Sequence, residues 1–353
     1  IVTPRHFLVG KAVHYGLATF YETGEMPADV FDRYMKVEME KLGVLWPDEV
    51  AIIEKDRALG VGMLENDMRW VHSYEAPDER WEIIASEQAF GPLPLFNPQG
   101  RKSNRVFLAG RFDGIIRDRE TGLLWLREFK TAGREPNPDW LELDDQLVTY
   151  CNAAQQIMGE PVAGIQYRFL MKKAPDKPPR LKNGGLSKAI NSPQTMSTNY
   201  DMYNEALNEL AYERALAEYG LDPVADNIPF AQAPDYVQAK QQTHYDALKP
   251  EYAEVLDVLW ARGYNEYFRD FEVTKTQAEL ADGASDLWLV GLEMVRPTTA
   301  IYKAPDWLKC QFCPFKSPCK IRNAGGNFEA VLKHEFRTRQ PEAPVEESNR
   351  VGW

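Results

Sequence analysis

Hydrophobic and polar positions along the chain switch between a helical and a strand period, and each switch marks an element. From Gly10, apolar residues at Val13, Leu17 and Phe20 recur at helical spacing, with His14 beside the apolar face. Helical patterning continues from Ala28 to Leu59, and Trp70 and Trp81 begin the approach to a sheet. Glu82 to Phe90 reads as the first strand. A hairpin follows: one strand runs through Gly110-Arg111-Phe112-Asp113-Gly114, Arg119-Glu120-Thr121-Gly122 makes the turn, and the return strand carries Glu128-Phe129-Lys130. Asp145 to Tyr150 opens a helix, and Ala163 to Met171 reads as strand again. Lys172 to Thr198, rich in Pro, Gly, Asn, Ser and Lys, is expected to be a mobile loop. Helices over Asp201 to Tyr219 and Tyr236 to Tyr264, the second interrupted near Pro250, form an insertion. A strand at Tyr267 to Val273 and a helix from Gln277 to about Val295 bring the chain back to its core. The acidic, Pro-containing stretch after Gln340 has the composition of a disordered tail.

The order predicts a mixed α/β fold, with a central twisted sheet flanked by helices. The expected parts are N-terminal helices and core over 1–171, a basic mobile loop and helical insertion over 172–265, a core return with a cysteine segment over 266–335, and a tail over 336–353. With 353 residues, 44% of them hydrophobic, the chain can bury a sizeable core. No uninterrupted apolar stretch approaches the length of a membrane span, and no signal peptide is apparent, so a soluble, cytoplasmic protein is expected. The formal net charge of -12 argues against nonspecific coating of nucleic acid, which needs Lys and Arg against phosphate. A local basic track remains compatible with that charge.

Candidate chemistry concentrates on the hairpin. Side chains alternate faces along a strand, so Glu128 and Lys130 share a face while Phe129 turns away, and the turn brings Asp113 back alongside. Two carboxylates can then converge on one hard divalent cation such as Mg2+, and a neighbouring ammonium can orient water or stabilise developing charge. Taken alone, an acid and a Lys two residues apart are common on solvated strands. Gln146 and Tyr150, four apart, lie on one face of their helix.

Gly10-Lys11-Ala12-Val13-His14, then Asp113, Glu128-Phe129-Lys130 and Gln146-Leu147-Val148-Thr149-Tyr150, form an ordered set of motifs. The set resembles the PD-(D/E)XK nuclease superfamily, specifically its RecB-like branch. The resemblance implies a restriction-endonuclease-like fold and metal binding by His14, Asp113 and Glu128. It also implies catalysis by Lys130, and active-site shaping and DNA contact by Gln146 and Tyr150. The residue before Asp113 is Phe112 rather than Pro, a departure common in that branch. Glu87, on the first strand, stands where that branch often has an acidic residue and is a secondary metal-site candidate. The activity implied is a Mg2+- or Mn2+-dependent exonuclease on single-stranded DNA, in phage recombination, repair or CRISPR-type processing, with a helicase or recombination partner. The loop track of Lys172, Lys173, Lys177, Arg180, Lys182 and Lys188 would then lie along the DNA backbone, whereas Arg269 reads as a surface strand charge. The competing class is a catalytically silent module that holds DNA ends or acts as a scaffold.

Three of the four cysteines cluster as C-x2-C-x5-C at Cys310, Cys313 and Cys319, a spacing suited to metal ligation rather than a disulfide framework. After a nuclease core, this cluster resembles the iron-sulfur RecB-like exonucleases, which implies a 4Fe-4S cluster stapling the ends of the domain. Their fourth Cys lies upstream of the motif His. None precedes His14, and since the chain begins at Ile1 that Cys is expected on a segment before it. Zinc held by the same three thiols and a His such as His334 is the rival, and would accompany a zinc-stabilised endonuclease. Cys151 reads as a small buried residue.

Overall fold

The computed structural model describes residues 5–41, 47–135, 137–189, 197–221, 229–296, 310, 313 and 315–336. Residues 4–295 form one compact unit, and residues 1–3 with 296–353 form another. The division places the helical insertion and the last strand in the same unit as the nuclease-like motifs.

The larger unit opens with three helices, α1 (Arg5–Thr23), α2 (Pro27–Lys41) and α3 (Pro47–Val71). Their apolar positions recur at three and four, so one stripe of each can be buried together. Val9, Val13 and Leu17 of α1 pack in this way against Phe31 and Met35 of α2 and Met63, Leu64 and Met68 of α3. Trp70, expected at the approach to the sheet, lies in the last turn of α3.

A five-stranded sheet follows in the order β1 (Trp81–Phe96), β2 (Lys102–Asp118), β3 (Leu124–Ala132), β4 (Val162–Met171) and β5 (Phe268–Thr274). β1 runs to Phe96, beyond the expected end at Phe90. All neighbours are antiparallel except β3 and β4, which are parallel and joined through α4 (Pro138–Glu142) and α5 (Asp145–Met158). A parallel pair needs such a helical crossover. α5 starts where Asp144 accepts a hydrogen bond from the Gln146 main-chain N at 2.9 Å, and it stops at Gly159, whose φ of 70° suits a left-handed cap. Phe129 and Leu170 pack into the core of α1 to α3, whereas Leu126 and Tyr167 pack with Leu147 and Cys151 of α5 and Leu280 of α9 (Gln277–Val295). Each face of the sheet is therefore covered by helices.

The register creates a fork. β2 pairs with β3 only from Arg117↔Leu124 to Gly114↔Arg127. Beyond that point β2 continues along β1 as far as Lys102, and β3 continues along β4 to Ala132↔Met171. Asp113 and Glu128 are the first residues past the last pair.

Behind the fork lies a buried ionic network. Arg168, completely buried, pairs with Asp270 at 2.8 Å and Asp78 at 2.9 Å, and Arg127 pairs with the same Asp78 at 2.9 Å. Tyr21 donates to Asp78 at 2.7 Å, which ties α1 to the network. Burial opposes the Asp78 charge, but the two guanidinium groups prevail and hold its carboxyl down at about 2. With two cations matched by two carboxylates, the completely buried Asp67 beside them has no hydrogen-bond partner of its own among the described residues. Burial pushes its carboxyl up to about 7.

The described part of the basic loop does not present a free cationic track. Lys177 pairs with Glu205 at 2.9 Å, Arg180 with Glu213 at 2.8 Å, Lys173 with Glu266 at 3.2 Å and Lys188 with Glu251 at 3.6 Å. The loop is laid against the insertion of α6 (Tyr200–Glu218), α7 (Asp235–Leu248) and α8 (Ala253–Arg262). Leu207, Leu210, Leu248 and Leu256 build that insertion's own core. The two insertion helices expected around Pro250 are separated by a 3-10 turn at Lys249–Tyr252.

The smaller unit contains α10 (Lys316–Asn323) and α11 (Phe328–Glu335), flanked by Phe315 stacked on Phe336 at 4.9 Å between centroids. Cys310 and Cys313 are half-buried and Cys319 is exposed, all as free thiols. The intervening residues 311, 312 and 314, and all but the first residue of the expected tail, lie outside the described residues. Among the described residues, no helix is long and apolar enough to cross a membrane.

Candidate active site

The fork gathers its side chains from both faces of the sheet. Asp113 bridges the gap with one carboxylate oxygen, since Oδ2 accepts a hydrogen bond from the Phe129 main-chain N at 2.8 Å. Its other oxygen, Oδ1, lies 3.2 Å from Nδ1 of His14 on α1. His14 is placed there by packing: Val13 and Leu17 are buried on the adjoining stripe, and the imidazole meets Phe129 edge-on at 6.2 Å. Burial opposes a charge on His14, but the Asp113 carboxylate, with Glu128 and Glu87, outweighs it and raises the imidazole pKa.

Glu87 completes the group. It lies between the pairs Ser86↔Gly114 and Gln88↔Phe112, which sets it opposite Asp113 on β2. Its φ of 45° is left-handed, an unfavourable conformation for a residue with a side chain. Ligand atoms of His14, Glu87 and Asp113 all lie within 4.8 Å of one another, the one such group of three or more among the described residues. An imidazole nitrogen with two carboxylates is a donor set that could hold a divalent metal ion. The guanidinium of Arg111, two residues before Asp113, meets Glu87 at 3.1 Å.

Glu128 falls outside that trio and anchors a second cluster on the α5 side. Its Oε1 accepts from Nζ of Lys130 at 2.8 Å and from Nε2 of Gln146 at 2.9 Å, while Oε1 of Gln146 accepts from Nζ of Lys130 at 3.2 Å. Burial, then the nearby Asp113 charge, raise the Glu128 pKa, and the Lys130 ammonium counters them. Tyr150, one turn along α5 on the same face as Gln146, meets Phe90 and Phe112 edge-on at 5.8 and 5.5 Å. Phe90 stacks on Phe112 at 4.4 Å, and its ring fills the space that a Cβ at Gly110 would occupy, 2.6 Å away. The glycine three residues before Asp113 is therefore required by packing.

The structure thus brings His14, Asp113, Glu128, Lys130, Gln146 and Tyr150 together at one place. It moves Glu87 from a secondary position to a place in the tightest group of potential ligands. Its backbone gave no warning in the sequence, because a left-handed residue is foreshadowed by Gly or Asn and not by Glu. Cys151 is buried in the core beneath α5, and burial pushes its thiol up to about 12, so it is a packing residue.

A search among curated proteins finds no match to this chain. A family model for the PD-(D/E)XK nuclease superfamily matches residues 3–320. The match spans the fork, the insertion and the first turn of α10, so the chain belongs to the PD-(D/E)XK nuclease superfamily.

Proposed function

We propose that this protein is a Mg2+- or Mn2+-dependent DNA exonuclease that hydrolyses phosphodiester bonds at single-stranded ends. The observation that carries the reading is the convergence of His14, Glu87 and Asp113 within 4.8 Å beside the hydrogen-bonded set of Glu128, Lys130 and Gln146. His14, Glu87 and Asp113 would hold the cation, with Glu128 at its border. A bound divalent cation supplies Lewis-acid polarisation of the phosphodiester and makes water more acidic. Lys130, fixed by two acceptors, presents a positive charge that orients the attacking water and offsets charge developing on the phosphate. Gln146 holds Glu128 and Lys130 in register, and Tyr150 stands on the same face of α5 one turn on.

The preference for ends and for single strands rests on the resemblance to the RecB-like branch. So do a role in recombination, repair or CRISPR-type processing and a helicase or recombination partner. The test offers linear and closed circular single-stranded DNA in Mg2+. Loss of linear strands alone supports exonuclease action, whereas equal loss of circles overturns it.

The Cys310, Cys313 and Cys319 thiols are the donors that a 4Fe-4S cluster takes, and the fourth Cys of the resembling proteins has its place upstream of the motif His. Purified protein should carry iron and absorb visible light, and Cys313→Ala should lose both along with melting temperature. A colourless protein loaded with zinc would overturn the cluster assignment.

A further inference from the structure

A cleft of about 320 Å³ opens where β3 and β4 end, five residues along the chain from Glu128. Gly133 and Arg134 line it from the end of β3, Lys172 and Lys173 from the end of β4, and Glu266 and Arg269 from the start of β5. Four cationic side chains there face two carboxylates, in a chain whose formal net charge is -12. Two of the cations are engaged: Arg269 pairs with Glu135, and Lys173 pairs with Glu266 at 3.2 Å while lying over the Tyr267 ring. Arg134 and Lys172 are exposed and have no carboxylate partner among the described residues. Of the loop's track, Lys173, Lys177, Arg180 and Lys188 are paired with carboxylates, and of the remaining two only Lys172 lines the cleft.

The cleft wall is built from hydrogen-bonded strand ends. The Lys172 main-chain N donates to the Ala132 carbonyl at 2.7 Å, and the Met171 N donates to the Tyr267 carbonyl at 2.8 Å, so three strand ends are tied together. A Cβ added at Gly133 would meet nothing within 4 Å, so the chain leaves open space there. Five strand residues span about 17 Å at the usual rise of roughly 3.3 Å each. A nucleic-acid strand carries a phosphate about every 3.4 Å of stacked helix and wider when extended, so a strand cut at the fork can reach the cleft within about five phosphates.

We propose that this cleft is a phosphate-binding subsite, in which Arg134 and Lys172 hold a phosphate of the substrate strand several nucleotides from the bond that is cut. The proposal rests on the nuclease reading for its substrate, and adds a second anchor to the reaction centre. Arg134 offers a planar fork of donors and Lys172 a mobile point charge, the two usual ways of meeting phosphate. A substrate that fills both the cleft and the fork is held at two points, so affinity should increase with strand length until the cleft is reached.

The experiment measures binding of labelled oligothymidylates to the full chain by fluorescence anisotropy in EDTA, across a salt series, for wild type and Arg134→Gln/Lys172→Gln. Losing two phosphate contacts should weaken binding several-fold at low salt and shallow the slope of log K against log salt by about 1.4, at roughly 0.7 per contact. With Mg2+ present, KM in the wild type should fall with strand length, and that dependence should flatten in the variant. An unchanged slope and unchanged length dependence would overturn the proposal. Strands bearing a 5′-phosphate, a 3′-phosphate or neither separate the two sources of the ligand. A loss confined to one end group supports capture of a terminal monoester, and an equal loss supports a backbone diester. Should the double variant melt early, Lys172→Gln alone decides, with about half the slope change expected. Because binding is read without metal, absence of cleavage by the wild type would count against the nuclease reading and leave the subsite result standing.

Discussion

Oδ2 of Asp113 accepts a hydrogen bond from the main-chain N of Phe129 at 2.8 Å, across the point where β2 and β3 part. The bond uses a donor that the ladder no longer satisfies and leaves Oδ1 turned to His14. One side chain therefore closes the end of a strand pair and contributes to the candidate metal group.

The two roles separate by substitution. Asp113→Asn keeps an oxygen for Phe129 and removes the charge, whereas Asp113→Ala strands a part-buried N–H, at a cost of about 1–3 kcal/mol. Both variants should lose divalent-metal binding in calorimetric titration, and only Asp113→Ala should melt markedly earlier. Equal melting of the two would show that the Phe129 bond is not stabilising.

Glu87 combines a ligand position with a strained backbone. Replacing it by Gly relieves the left-handed conformation, so Glu87→Gly should gain about 0.5–1 kcal/mol of stability while losing metal affinity. Denaturant melts and metal titration check the pair of effects, and a destabilised variant with full metal affinity would contradict the assignment.

Asp67 predicts a pH dependence. Its folded pKa of about 7, set by burial, lies above the ordinary carboxylate value of about 3.9. The fold therefore favours the protonated form: the penalty is absent below about pH 4 and grows as pH rises through about 7. Asp67→Asn should melt like the wild type at pH 4 and later than it at pH 8, by an amount on the order of a few kcal/mol. A shift of the same size at both pH values would show that the Asp67 charge is not the cause.

Much of this arrangement was legible from residue order, because strand alternation puts Glu128 and Lys130 on one face and helical spacing puts Gln146 and Tyr150 on another. The helix from Gln277 to Val295 was read with its observed bounds. The fork was not legible, since the point where β2 leaves β3 depends on the competing partners β1 and β4, far apart in sequence. The pairing of the basic loop was hidden for a similar reason. Glu205, Glu209 and Glu213, four apart on α6, form the acidic row that receives Lys177 and Arg180. That spacing was present in the sequence, but the distance from loop to row was not.

Metal-dependent cleavage at the fork is read from release of label from end-labelled linear single-stranded DNA. Reactions would contain Mg2+, Mn2+ or EDTA, with wild type and Lys130→Ala side by side. Label should be lost in either metal and kept in EDTA, and its release should fall about 10²-fold or more in Lys130→Ala. Folded wild-type protein that releases no label in either metal, or Lys130→Ala that cleaves at the wild-type rate, would contradict cleavage at the fork.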